Sequence, residues 1–315
     1  MTGVVAFLAL LFAADDANEE LNAFFEAILN NEIDAVTADW SVMENASDQI
    51  AAEDSFRELR IAAASNAEFS TYAAGQPTPL AEMPCVLLAI QAGRSLVNVE
   101  SDHSYAERRE AALSWLNGIE ARLVDEQADS VAGLAPDEPA RELIRRGVAD
   151  QYWRYVYQRD ARLLMRERPD LRPFIDNAIL HRQCVSDRSN AGFLRRFVDA
   201  YGWPADNSMA NYATEYAWLI LQHADTATQE AMLPHIREAG GSSSEALRRL
   251  ARLIDRMRVR NGRLQIYGTQ WSCRDGEFGP HDLMDPETVD ERRAEVGLGP
   301  LADSFSDRPR PDCQP

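Results

Sequence analysis

The chain has 315 residues and a formal net charge of −19, from 51 acidic against 32 basic side chains. Apolar residues make up 45% and charged residues 26%, which is a globular balance and not that of a disordered tail, a collagen or a disulfide knot. The negative excess repels a polyanion, so no nucleic acid is expected as a partner. Every basic residue is arginine, which excludes a P-loop lysine, a kinase strand lysine, a Ser-Lys dyad and a side-chain Schiff base.

Val4 to Ala14 is an uncharged apolar run, closed by Asp15 and Asp16. It is too short to span a bilayer, which needs about 20 residues. Its length fits the core of a secretory signal peptide, so residues 1–14 are predicted to be one, with no transmembrane helix in the mature chain. The four cysteines, Cys85, Cys184, Cys273 and Cys313, are too far apart for a CxxC site. An even count suits an oxidising compartment, periplasmic or secreted, although the sequence alone leaves all three pairings open. The alternative is a cytoplasmic protein with four unrelated thiols.

Residues 15–135 form an acidic region of helical stripes. Leu21, Phe24, Phe25, Ile28 and Leu29 make one stripe. Others fall around Phe56 to Ala63, Cys85 to Leu96 and Ala106 to Leu123, with a break at Gly75 to Pro79. No fixed repeat period is visible. Gly133, Pro136 and Pro139 mark a boundary. A C-terminal domain is expected over 140–303 and a loose tail over 304–315. Arg141 to Arg168 reads as one long helix stopped by Pro169, and Arg172 to His181 as a second. Cys184 to Asn190 reads as a loop. Asp206, Asn207 and Ser208 offer caps for a helix ending near His223 to Asp225. Thr226 with Gln229, and Ser242 with Glu245, look like capping boxes. Leu264 to Tyr267 alternates like a strand and Asp275-Gly276 like a turn, which predicts a hairpin over about 263–280. Asp285-Pro286-Glu287 starts a last helix, ended by Gly297. The fold class is therefore mainly α: a bundle-like N-terminal half, and a helical C-terminal domain with a small β-hairpin.

No two of the five histidines lie within four residues of each other, so there is no short helical zinc motif; no metal and no cofactor is predicted. Several polar clusters remain: Asp150-Gln151 with Arg154, Gln222-His223-Ala224-Asp225, Asp255-Arg256, and Gln265 to Gln270. Together with Gly202-Trp203-Pro204 and Val289 to Leu301, they form the ordered pattern DQxxR, GWP, QHAD, DR, QxYGTQ, VDxRRxxVGLxPL. This pattern resembles an uncharacterised bacterial family, the domain of unknown function catalogued as 6624. The resemblance covers the C-terminal half, leaves residues 15–135 outside it, and implies no activity.

Two readings follow. The leading one is a non-catalytic binding or structural protein of the cell envelope, partnered by a protein or a small polar ligand. Asp225 is then a helix cap, Asp150 and Arg154 an ion pair at i,i+4, and Gly268 a turn glycine. The alternative is a cofactor-free hydrolase or transferase. There His223 or Asp225 is the general base and Tyr267 the acid or hydrogen-bond donor. Gln222, Asp255, Arg256, Gln265, Thr269, Gln270, Asp150 and Arg154 would hold a polar substrate. The aromatic run Tyr152, Trp153, Tyr155 and Tyr157 reads as interdomain packing or an interface anchor.

Overall fold

A computed structural model describes residues 19–43, 49–65, 85–97, 99–135, 138–204, 212–240, 244–274 and 277–306. The apolar N-terminal run, the break at Gly75 to Pro79, the caps at 206–208, Ser242, the Asp275-Gly276 turn and Cys313 lie outside these residues. The described chain is predominantly helical, with one two-stranded antiparallel hairpin. It divides into two compact units: Met1–Asp137 with Arg141–Asn190, and Glu138–Ala140 with Ala191–Pro315.

In the first unit, α1 (Glu19–Leu29), α2 (Gln49–Ser65) and α3 (Cys85–Ser95) precede the long α4 (Tyr105–Ser130). The stripe on α1 is buried at Leu21, Phe25 and Ile28. Trp40 is fully buried beside it, edge-on to Phe24 and Phe56, and its indole donates to the Ala35 carbonyl at 2.9 Å. Position 93 must be glycine for the same reason: a Cβ there would lie 1.9 Å from the indole nitrogen. Helix α4 starts with a capping box, Ser104 bonding the Glu107 amide while Glu107 accepts from the Ser104 amide.

The chain continues through α5 (Ala140–Val156), a π-helical turn at Tyr157–Ala161 and α6 (Arg162–Glu167), where Pro169 stops it. The long polar helix read from the sequence is thus present, with the π turn inside it. The loop expected over 184–190 is not there: α7 runs unbroken over Arg172–Tyr201. Gln183, Cys184, Asp187 and Asn190 face inwards and are buried, while Arg188 and Ser189 between them are exposed. Cys184 forms a disulfide with Cys85 at a Cα–Cα distance of 5.5 Å, closing a separation of 99 residues. A loop of that length is worth about 4–5 kcal/mol in the chain-entropy picture. Cys273 is also disulfide-bonded.

The second unit holds α8 (Ala213–His223), α9 (Thr226–Gly240) and α10 (Ser244–Arg260), with α9 packed on both neighbours. Trp203 meets Trp218 in a T-shaped contact at 5.3 Å. Helix α9 is capped by Asp225 through Thr228 rather than by a Thr226–Gln229 box. Gln229 instead sends its amide back to the carbonyls of Leu221 and Gln222. Gly262, at φ +64°, ends α10 in the left-handed conformation that glycine tolerates. The hairpin is β1 (Trp271–Arg274) with β2 (Glu277–Pro280), Trp271 opposite Pro280. It starts later than expected, because residues 264–267 make only one bridge, between Gln265 and Leu283. After a 3-10 turn at Pro286–Thr288 come α11 (Val289–Glu295) and α12 (Leu301–Ser306), the latter extending into the expected tail.

Candidate functional site

In the first unit, two helices each present a polar pair at i,i+4 spacing. Asp150 and Arg154 lie on α5, Gln183 and Asp187 on α7. Arg154 Nη2 donates to Asp150 Oδ1 at 3.1 Å and to Asp187 Oδ1 at 2.7 Å. Its Nη1 reaches Gln183 Oε1 at 3.4 Å, and the Gln151 amide donates to Asp150 Oδ2 at 2.5 Å. The ion pair read from the sequence is therefore present, but it is half of a larger cluster.

Asp150 and Asp187 are 2% and 3% exposed, and carboxylate oxygens of the two lie within 4.8 Å of each other. Two carboxylates this close and this dry cannot both ionise cheaply. Burial pushes the Asp187 carboxyl up to about 8, Arg154 opposes that, and the charge and hydrogen bond of Asp150 add to it. The two carboxyls are coupled, so a proton taken up there is a property of the pair and not of one residue. Arg154, its side chain 21% exposed, connects the pair to solvent.

In the second unit, Asp255 is fully buried on α10 and accepts four donors. Oδ1 takes the amides of Ile266 and Tyr267, and Oδ2 takes the amide and hydroxyl of Thr269, all between 2.6 and 3.0 Å. The QxYGTQ segment is a loop wound round this carboxylate. Gln265 bonds the Gln270 and His281 carbonyls and accepts from the Gln270 amide. Gln270 reaches the Arg252 carbonyl and the Thr269 hydroxyl. Gly268 has φ +68°, and a Cβ there would lie 2.7 Å from Leu301. Arg293 binds the Tyr267 and Gly299 carbonyls, and Arg292 the Ile266 carbonyl. The VDxRR segment thus braces the QxYGTQ loop.

The residues read as catalytic occupy varied positions. His223 ends α8 and is half-buried. Asp225 accepts the amide and hydroxyl of Thr228 and pairs with Arg195 at 3.3 Å. Burial, and then the charges of Asp255 and Glu295, raise the Tyr267 phenol. Gln222 and Arg256 are brought together, with Arg256 Nη1 3.2 Å from Gln222 Oε1. Sequence reasoning missed Asp187, which fell in the loop expected over 184–190, and Gln183, which preceded it. The signal was the helical periodicity from Ile179 through Gln183, Asp187 and Asn190 to Leu194, every one of them buried.

These features define a class: a mainly helical, disulfide-bonded protein with a close carboxylate pair among its buried polar residues. Residues 175–306 match a family of unknown function, DUF6624, as the resemblance of the QHAD, QxYGTQ and VDxRR segments implied. Asp150 to Arg154 precede the matched region. No curated protein and no solved structure matches the chain. Among the described residues, no helix is long and apolar enough to cross a membrane.

Proposed function

We propose that the protein is a hydrolase or transferase working by proton transfer at Asp150 and Asp187, in an oxidising compartment, periplasmic or secreted. One observation carries the catalytic reading: two buried carboxylates whose oxygens lie within 4.8 Å of each other and which share the Arg154 guanidinium. A structural role asks for one carboxylate against one arginine. A second acid in the same dry space costs stability, and carboxyls perturbed in this way cluster at functional sites. In this reading, Asp187 in its acid form gives a proton to a leaving group. Ionised Asp150 takes one from the attacking water or hydroxyl, so the pair begins and ends the cycle with one proton. The disulfide and the apolar run of residues 4–14 support the compartment.

The test is hydrolysis of chromogenic esters, phosphates and glycosides by the full chain, with Asp187→Asn and Asp150→Asn alongside. Each variant is expected to lose at least about a hundredfold in kcat while keeping its helical circular dichroism. Turnover that survives Asp187→Asn, or no turnover across the panel, returns the protein to the reading of an envelope binding or structural protein.

A further inference from the structure

Helix α10 carries Arg249, Arg252 and Arg256 on one face, at i, i+3 and i+7. With Trp218 and Gln222 of α8, they line a cleft of about 210 Å³ in the second unit. The three arginines are not equivalent. Arg249 is matched, pairing with Glu215 at 2.6 Å and Glu245 at 2.8 Å. Arg256 is half-buried and bonds only neutral groups, the side chain and carbonyl oxygens of Gln222 at 3.2 and 3.4 Å. Among the described residues no carboxylate pairs with it. Burial, and then the nearby Arg260 charge, lower its pKa, as befits a guanidinium held out of water without a counter-ion. Arg252, exposed at the same cleft, has no ion-pair partner among the described residues either. Gln222 turns its oxygen to Arg256, which leaves its amide hydrogens as donors.

We propose that this cleft binds a small organic monocarboxylate, the oxyanion on Arg256 and the Gln222 amide, and the apolar body against Trp218 and Leu253. The lining charges select the class. Three arginines against Glu215 and Glu245 leave a single positive charge to satisfy. A phosphate dianion would bring its second charge against those glutamates. The planar guanidinium fork matches a carboxylate in two parallel bonds. The cleft's volume of about 210 Å³ suits a short-chain acid. The proposal stands on residues of the second unit alone and is independent of the carboxylate pair.

The experiment is isothermal titration calorimetry of the full chain at low salt with butyrate, neutral butyramide and inorganic phosphate. Butyrate is expected to bind saturably, and butyramide and phosphate at least about tenfold more weakly, the scale of one lost charge-assisted bond. Arg256→Gln is expected to weaken butyrate by at least about tenfold and Arg252→Gln by a few fold, while Arg263→Gln, beyond the end of α10, leaves it unchanged. Arg252 is exposed, so its variant decides the matter even if Arg256→Gln fails to fold. No saturable butyrate binding, equal loss in Arg263→Gln, or tighter binding of phosphate than of butyrate overturns the proposal.

Discussion

The two units treat a buried aspartate in opposite ways. Asp255 in the second unit gathers three backbone amides and a hydroxyl, so its charge is dispersed over donors fixed by the chain itself. Asp187 in the first unit is nearly as dry, but it faces a second carboxylate and an arginine shared between the two. The first arrangement organises a loop. The second sets two carboxyls against one guanidinium, and burial pushes the Asp187 carboxyl up. Burial alone therefore does not distinguish scaffold from site; the number and kind of partners does.

The sharpest way to break this contrast is Asp255→Ala. It leaves the amides of Ile266, Tyr267 and Thr269 without their acceptor, and at ~1–3 kcal/mol per stranded donor the loss is about 5 kcal/mol. Urea unfolding measures it, and a loss below about 1 kcal/mol would mean that the carboxylate does not organise the loop.

The next effect is pH dependence. The folded Asp187 pKa is raised from 3.8 to about 8. The folded chain therefore keeps a proton that the unfolded chain releases. The stability this gives is complete below about pH 4 and is lost as pH rises to about 8. His181, held neutral by burial with its pKa lowered to about 4, has the opposite slope between about pH 4 and 6.5. The difference between variants is thus the informative quantity. Across this window the Tm of the wild type is expected to fall relative to that of Asp187→Asn. Parallel Tm curves for the two proteins would show that Asp187 titrates normally.

The smallest effect belongs to Asp225, the carboxylate that caps α9. Asp225→Ala should cost about 1 kcal/mol, as helix caps do, and Asp225→Asn less. If Asp225→Ala abolishes turnover without loss of stability, Asp225 acts as the base that the QHAD motif suggested, and the contrast between the units fails.

Much of the helical layout was legible in residue order. The α1 stripe, the end of α8 near His223 and the Asn261-Gly262 stop after α10 all follow from local signals. The failures share a cause. Cys184, Asp187 and Asn190 look like loop residues, yet a disulfide and a cluster from another helix let them sit inside α7. Leu264 to Tyr267 alternates like a strand, but Asp255, some eleven residues earlier, captures the amides a ladder would need. The same distance effect governs the site. DQxxR and QxYGTQ were visible as motifs, but which aspartate is met by backbone amides and which faces a second carboxylate depends on partners that only the folded chain supplies.

The cysteine order has a consequence in time. Cys184 follows Cys85 by 99 residues, with no cysteine between them. At ~5–20 residues per second, Cys85 waits about 5–20 s for a partner. When Cys184 emerges, Cys273 and Cys313 have not yet been made. Of the three pairings that four cysteines allow, the native Cys85–Cys184 bond is the first that synthesis makes available. A chain oxidised as it emerges thus reaches it without reshuffling, whereas a chain refolded whole must choose among all three.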